Sequence, residues 1–487
     1  MTKLARRLTK CVLYLGGLSA AALATIVLVF ALQARLRLSD LCPWHRIVLQ
    51  QEFRAGVVGA PASFEEYRQL EDRLFAELRK RVLDDPAAAD TQLLSRYNPK
   101  SVPGRLSLDT TYNRSYELEP PEAKGAVLLV HGLSDSPYTM RGLAETFFAQ
   151  GYYVLVLRLP GHGALPSALL DVTWQDWYAA VVLAAKHAAA KAGPGKPFLA
   201  GGHSTGAALL TLYSLRTLQD PHLPRPQQLY LVSPAIGISR FAVLTNVVAG
   251  LSFLPWFEKS KWIDVYPEYD PYKFNSFPVN AANQIYSLTR EVHRTIVASA
   301  KAGTLGGMPH VHVFQSVVDS TVTAAEVVSG LLALLPAGGH ELVVFDVNRR
   351  EVLEGLIAPG PLEALDRLRN ASRLPFRLTL IGNRPGGSNA IAAFTRDAGA
   401  LEFSEEDLPL EWPRGVFSLG HVALPIPPED PIYGLTPDPG SPSTYNIGAV
   451  AARGESGALL VPLGTFSRLR SNPFFEVIRT RIVQTLP

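Results

Sequence analysis

Between residues 125 and 345 the chain keeps a two-part rhythm. Short runs with no polar face recur at Gly125–Val130, Tyr153–Leu157, Phe198–Ala200 and Gln228–Ser233. Longer stretches at helical spacing separate them, over about Thr139–Gln150, Trp174–Lys191 and from Gly206 to about Leu218. Strands apolar on both faces and divided by helices predict a parallel sheet covered on each side, an α/β fold. The rhythm breaks after Ser239, where ten aromatic residues fall between Phe241 and Phe277. That stretch reads as a cap inserted over the sheet edge. Strand spacing returns at Val311–Phe314 and Glu341–Phe345, with a helix over Ala324–Leu335 between them, and Phe376–Ile381 reads as an additional strand. Leu424–Pro442 reads as loop and Pro473–Thr485 as a short helix.

Upstream, Phe64–Leu83 mixes charged and apolar residues as an amphipathic helix does, and Val102–Glu119 alternates as one or two antiparallel strands. The first residues differ from both. Lys3, Arg6, Arg7 and Lys10 precede an uncharged apolar run from Cys11 to about Leu32. About 20 such residues cross a bilayer core as a helix. The basic start places the N-terminus in the cytoplasm and the remainder outside, in a bacterium the periplasm. A cleaved leader fits less well, because the run is long and Leu32 stands where a small residue is wanted. The expected organisation is an anchor over 1–37, a helical linker over 38–100, a core over 101–238, a cap over 239–300, and further core over 301–487.

Composition narrows the function. With 47% hydrophobic and 18% charged residues the chain folds rather than staying disordered. A net charge of +3 without a long basic tract argues against nucleic-acid binding. The two cysteines, Cys11 and Cys42, flank the proposed span and cannot pair or build a thiolate metal site. His310 and His312 alternate along a strand without matching ligands. No metal or cofactor is expected.

Gly202-His203-Ser204-Thr205-Gly206 follows an apolar strand and opens an Ala/Leu-rich helix. A G-x-S-x-G turn in that setting thrusts its serine out of a sharp bend, where the glycines avoid collision and the helix N-terminus favours developing negative charge. Three further motifs accompany it: His131-Gly-Leu-Ser-Asp-Ser136 after the first strand, Leu159-Pro-Gly-His-Gly163 after the second, and Trp174-Gln-Asp-Trp177 opening a helix. Together these resemble the α/β-hydrolase superfamily, and within it the monoacylglycerol-lipase and carboxylesterase branch, the serine aminopeptidase S33 or hydrolase 4 group. The resemblance covers a little under half of the chain.

It implies Ser204 as nucleophile and backbone N–H groups of Thr205 and Leu133 as oxyanion hole, with Gly132 allowing close approach. His131 and His162 are expected to be structural. Chain order in this fold is Ser, acid, His. Asp319, after the strand ending near Phe314, is the expected acid, with Asp346 as runner-up. The histidine loop would follow Phe345, where none occurs, and His340 precedes that strand. His421, after the apolar segment Val416–Gly420, is therefore the expected base, read as following a short strand. This requires an insertion over about 350–413.

The apolar cap favours carboxylic esters with hydrophobic acyl groups or lipid-like substrates. Two alternatives stay open. One is a serine aminopeptidase, needing a cap carboxylate (Glu258, Asp264, Glu268 or Asp270) for a substrate ammonium. The other is a membrane-tethered binding or scaffold protein without catalysis.

Overall fold

The structure is a computed structural model that describes residues 36–487, apart from 110, 238–254, 320, 351–355, 358, 386–387, 438–444, 451 and 454–458. It also describes 12–19 and positions 21, 22, 25, 29 and 32. Strands are β1 (Tyr116–Leu118), β2 (Ala126–Val130), β3 (Tyr153–Leu157), β4 (Phe198–His203), β5 (Gln228–Val232), β6 (Trp262–Asp264), β7 (Phe277–Pro278), β8 (His310–Ser316), β9 (Glu341–Phe345), β10 (Arg377–Asn383), β11 (Ala390–Arg396) and β12 (Ser404–Glu411). Ten of them form one sheet in the order β1-β3-β2-β4-β5-β8-β9-β10-β11-β12. From β3 to β10 every neighbouring pair is parallel. β1 runs antiparallel on β3, and β11 and β12 antiparallel at the far edge. The central strands are buried along their whole length, which is why their sequences carry no polar face.

The helices are α1 (Phe64–Leu78), α2 (Val102–Asp109), α3 (Arg141–Ala149), α4 (Trp174–Ala192), α5 (Thr205–Thr217), α6 (Val279–Lys301), α7 (Ala324–Gly330), α8 (Pro359–Asn370) and, after a single helical turn at Gly464–Ser467, α9 (Phe475–Thr485). One face of the sheet buries α4, α5 and α6; the other buries α3 and α9 through Leu143, Phe147, Ile478 and Ile482.

Three expectations change. Residues 102–109 are helix, not strand; only Tyr116–Leu118 pairs with the sheet. The segment 38–100 is not a linker. Phe53, Phe64 and Tyr67 join the main core, and Tyr67 Oη donates to Arg158 O at 2.7 Å. The Arg158 guanidinium is itself buried, donating to Glu71 at 2.7 Å, to Glu52 at 3.0 Å and to the His162 carbonyl at 2.9 Å. The cap is shorter than 239–300, because α6 buries Leu288, Val292 and Ile296 in the core beside α5. In the stretch before α6, β6 and β7 pair antiparallel, and Phe241 and Phe253 lie outside the described residues. Finally, among the described residues no helix is long and apolar enough to cross a membrane. Of the run from Cys11 to Leu32, residues 11, 20, 23, 24, 26–28, 30 and 31 lie outside those described.

The region after β9 explains the displaced histidine. The chain leaves the core at Asn348, adds α8 and three edge strands, and returns at Val416. There the Asn348 N–H donates to Phe417 O at 2.8 Å and its side-chain amide to Val416 O at 3.1 Å. Exit and return share one residue, so an edge extension fits without moving the loop that follows.

Candidate active site

Ser204 sits between β4 and α5 with φ 52° and ψ −112°, a conformation unusual for a residue with a side chain. The bend is this tight because its flanking glycines leave room for nothing else. A Cβ on Gly206 would stand 2.1 Å from Val130 O, and one on Gly202 2.7 Å from Ala207 N. The serine, 8% exposed, borders a cavity of about 460 Å³. Leu133, Thr205 and His421 border the same cavity, with Ile236, Phe277 and Ile285 supplying apolar wall. A larger open groove of about 690 Å³ lies against the outer face of α6 and contains none of these residues.

His421 and Asp319 meet, although 102 positions separate them: His421 Nδ1 donates to Asp319 Oδ2 at 2.7 Å. Asp319 also accepts from the Thr321 and Val322 N–H groups at 2.9 and 3.0 Å and from Gln315 Nε2 at 3.0 Å. Burial pushes its carboxyl up, but the bond and charge of His421 and the two backbone donors outweigh this and hold it below its ordinary value. Because a carboxylate only accepts, Nδ1 carries the ring proton and Nε2 is left as the basic nitrogen. The Ser204 hydroxyl makes no hydrogen bond among the described residues. The segment before His421 is irregular rather than a strand. Ser316 Oγ fixes it at the end of β8 by donating to Leu419 O at 2.7 Å.

Neither Leu133 nor Thr205 donates its backbone N–H to any described residue, and both border the cavity beside Ser204. His131 is buried, with Nδ1 donating to Gly132 O at 2.8 Å and Nε2 accepting from Leu159 N at 3.1 Å. Burial pushes it down to about 4, so it stays neutral and holds the loop. His162 is likewise buried, with Nδ1 donating to Pro160 O at 3.0 Å, and burial pushes it well below its usual value.

The other candidates are committed elsewhere. Asp346 pairs with Arg349 at 3.0 Å, and His340 accepts from Val311 N at the opposite end of the strands. Glu258 pairs with Arg46. Glu268 accepts from the Asn275 and Ser276 N–H groups, and Asp270 from Tyr272 and Lys273. None of these, nor Asp264, borders the Ser204 cavity.

Sequence reasoning missed a chain of contacts beneath His421. His203 Nε2 donates to His421 O at 3.2 Å, while its Nδ1 faces Asp135 Oδ2 at 3.4 Å. Asp135 in turn binds the Lys273 ammonium. Burial pushes the Asp135 carboxyl up, but Lys273 and His203 outweigh it and hold it well below the carboxylate range. His203 and Asp135 both lie inside the quoted motifs, yet adjacency along the chain gives no sign that they touch.

The strand order, the serine bend between β4 and α5, and the crossover helices on both faces define an α/β-hydrolase fold. Residues 121–333 match the family model described as hydrolase 4, serine aminopeptidase, S33. A stretch of 55 residues is 46% identical to the thermostable monoacylglycerol lipase of Bacillus sp. (strain H-257), covering 11% of this chain and 22% of that one. The chain thus spans about a fifth of that curated relative. Among solved structures, a soluble variant of monoglyceride lipase from Saccharomyces cerevisiae is 13% identical, with 48% of this chain and 82% of that one covered and a TM-score of 0.37. The monoacylglycerol lipase of Paleococcus ferrophilus is 16% identical, covering 52% and 95%, with a TM-score of 0.35. With scores this low, the fold assignment rests on the strand order and the serine turn.

Proposed function

We propose that this protein is a serine hydrolase that cleaves carboxylic esters with hydrophobic acyl groups. The observation carrying this reading is the 2.7 Å bond between His421 and Asp319 at the wall of the cavity that Ser204 borders. In the proposed reaction His421 Nε2 takes the Ser204 proton as Oγ attacks the acyl carbonyl. The N–H groups of Leu133 and Thr205 hold the oxyanion, and Asp319 stabilises the imidazolium. His421 then protonates the leaving alcohol, and a water activated by the same ring releases the acid. The apolar wall suits an acyl chain, in keeping with the lipase activity named for the relatives. An aminopeptidase reading lacks support from the cap carboxylates named for it, since none borders the cavity.

The test is labelling by a fluorophosphonate, together with a panel of p-nitrophenyl acyl esters and aminoacyl anilides. Labelling of wild type that disappears in Ser204→Ala, with ester turnover, is expected. An unlabelled wild type supports the binding-protein alternative, and anilide turnover without ester turnover the peptidase. We further propose that the basic start and apolar run to Leu32 tether the domain to the inner membrane with its site in the periplasm. Recovery of the full chain in a salt-washed soluble fraction removes that proposal.

A further inference from the structure

A second chamber of about 210 Å³ adjoins the Ser204 cavity, and the two share Lys273, Val422 and Arg468. Their walls differ. The Ser204 side is largely apolar, whereas the second chamber presents Tyr269, Tyr433, Thr465 and Arg470.

Its charges do not cancel. Lys273 is bound to Asp135. Arg470 faces Asp270 at 3.4 Å and donates to Tyr269 Oη at 3.0 Å. Asp319 is occupied by His421. Across the Ser204 cavity Glu326 accepts from the Thr323 N–H at 3.3 Å, as the cap of its own helix. Arg468 remains, with no hydrogen-bond or ion-pair partner among the described residues. Its Nε lies 3.6 Å from where a Cβ on Gly420 would stand, so the side chain crosses the residue preceding His421. A guanidinium with no hydrogen-bond or ion-pair partner among the described residues thus stands where the two chambers join, next to the proposed base and within electrostatic reach of Asp319 and Asp135. A guanidinium is weakly hydrated and presents a planar fork of donors that matches the oxygens of a carboxylate or phosphate.

We propose that this junction is an anion subsite, in which Arg468 binds a phosphate or carboxylate on the alcohol portion of the ester while the acyl chain fills the apolar cavity. The proposal rests on the ester-hydrolase reading and narrows its substrate to acyl esters of anionic alcohols. The balance is simple. Ser204 Oγ bonds to the acyl carbon as the ester C–O bond breaks, the anionic alcohol leaves with the proton held by His421, and water releases the fatty acid and restores the serine.

The experiment compares kcat/KM of the full chain on dodecanoyl glycerol, dodecanoyl glycerol phosphate and dodecanoyl glycerol hemisuccinate. Wild type is expected to favour one of the anionic esters. The anionic-to-neutral ratio is expected to fall by at least about tenfold in Arg468→Gln, equal to about 1.4 kcal/mol, with partial retention in Arg468→Lys. Preference for the phosphate or for the hemisuccinate identifies the anion, and either upholds the subsite. A ratio unchanged within about twofold in Arg468→Gln overturns it. Failure of the parent reading shows separately, as absent fluorophosphonate labelling. In that case calorimetric binding of dodecyl phosphate to Ser204→Ala reads the subsite without turnover, and equal binding in the Arg468→Gln double variant refutes it.

Discussion

Replacing Asp319 by Asn tests the proposed mechanism at its most constrained point. All four partners of this carboxylate are donors: His421 Nδ1, Gln315 Nε2 and the N–H groups of Thr321 and Val322. An asparagine presents one oxygen and one NH₂. If its oxygen keeps the two backbone donors, its NH₂ faces His421 Nδ1, which must then accept. The ring proton moves to Nε2, and the nitrogen directed at chemistry is no longer basic. The lost charge adds to this. At about 4 Å and an effective dielectric constant of about 20, a carboxylate stabilises an imidazolium by about 4 kcal/mol, or about 10³ in rate. With the wrong tautomer, the same change in the well-known protease triad costs about 10⁴ in kcat. Steady-state hydrolysis of a p-nitrophenyl ester is therefore expected to drop about 10³ to 10⁴-fold in kcat with little change in KM. Asp346→Asn, at the carboxylate paired with Arg349, is expected to retain activity. Asp319→Asn activity within tenfold of wild type, with the fold intact by circular dichroism, would falsify the assignment.

His203→Asn removes the donor to the His421 carbonyl; kcat is expected to fall about tenfold while fluorophosphonate still labels Ser204 slowly, and an unchanged labelling rate argues against a positioning role. Arg158→Met strands the buried Glu52 and Glu71 carboxylates, so urea denaturation should show a loss of about 3–5 kcal/mol, much of it restored by adding Glu52→Gln and Glu71→Gln. Stability should also depend on acid. Burial holds His45, His131 and His340 down to about 4, so from about pH 6.5 to 4 the unfolded chain binds protons that the folded chain refuses. Their contribution is whole above about pH 6.5 and is lost as pH falls through 4. Glu268 opposes them: burial pushes it up to about 7, so its contribution is whole below about pH 4.5 and is lost as pH rises through 7. His162 and His203 are held down by burial as well, so the histidines outnumber Glu268 and the folded protein is expected to lose stability as pH falls from about 6.5 to 4.5. A urea midpoint that stays flat over that interval contradicts this reckoning.

Much of the architecture was legible because burial writes itself into local pattern. β2, β3 and β5 are covered on both faces, and their sequences show it as unbroken apolar runs. Where packing rather than pattern decides, the reading slipped. Residues 102–109 alternate like a strand but fold as a helix, and α6 was hidden inside an aromatic-rich stretch although its inner face completes the core over α5. The segment 38–100 looked like a connector because nothing local reveals that Glu52 and Glu71 neutralise an arginine about a hundred residues away.

The sequence by itself determined the serine bend, since Gly202, Ser204 and Gly206 are adjacent and their steric demands are local. It also limited the proposed base to His421, by chain order and elimination. Only the tertiary structure decided that Asn348 and Val416 meet, so that an edge extension of the sheet leaves the histidine loop in place, and that Arg468 stands at the cavity junction without a hydrogen-bond or ion-pair partner among the described residues. Both depend on distances between segments far apart in the chain, and no spacing along a sequence encodes those until the intervening elements have packed.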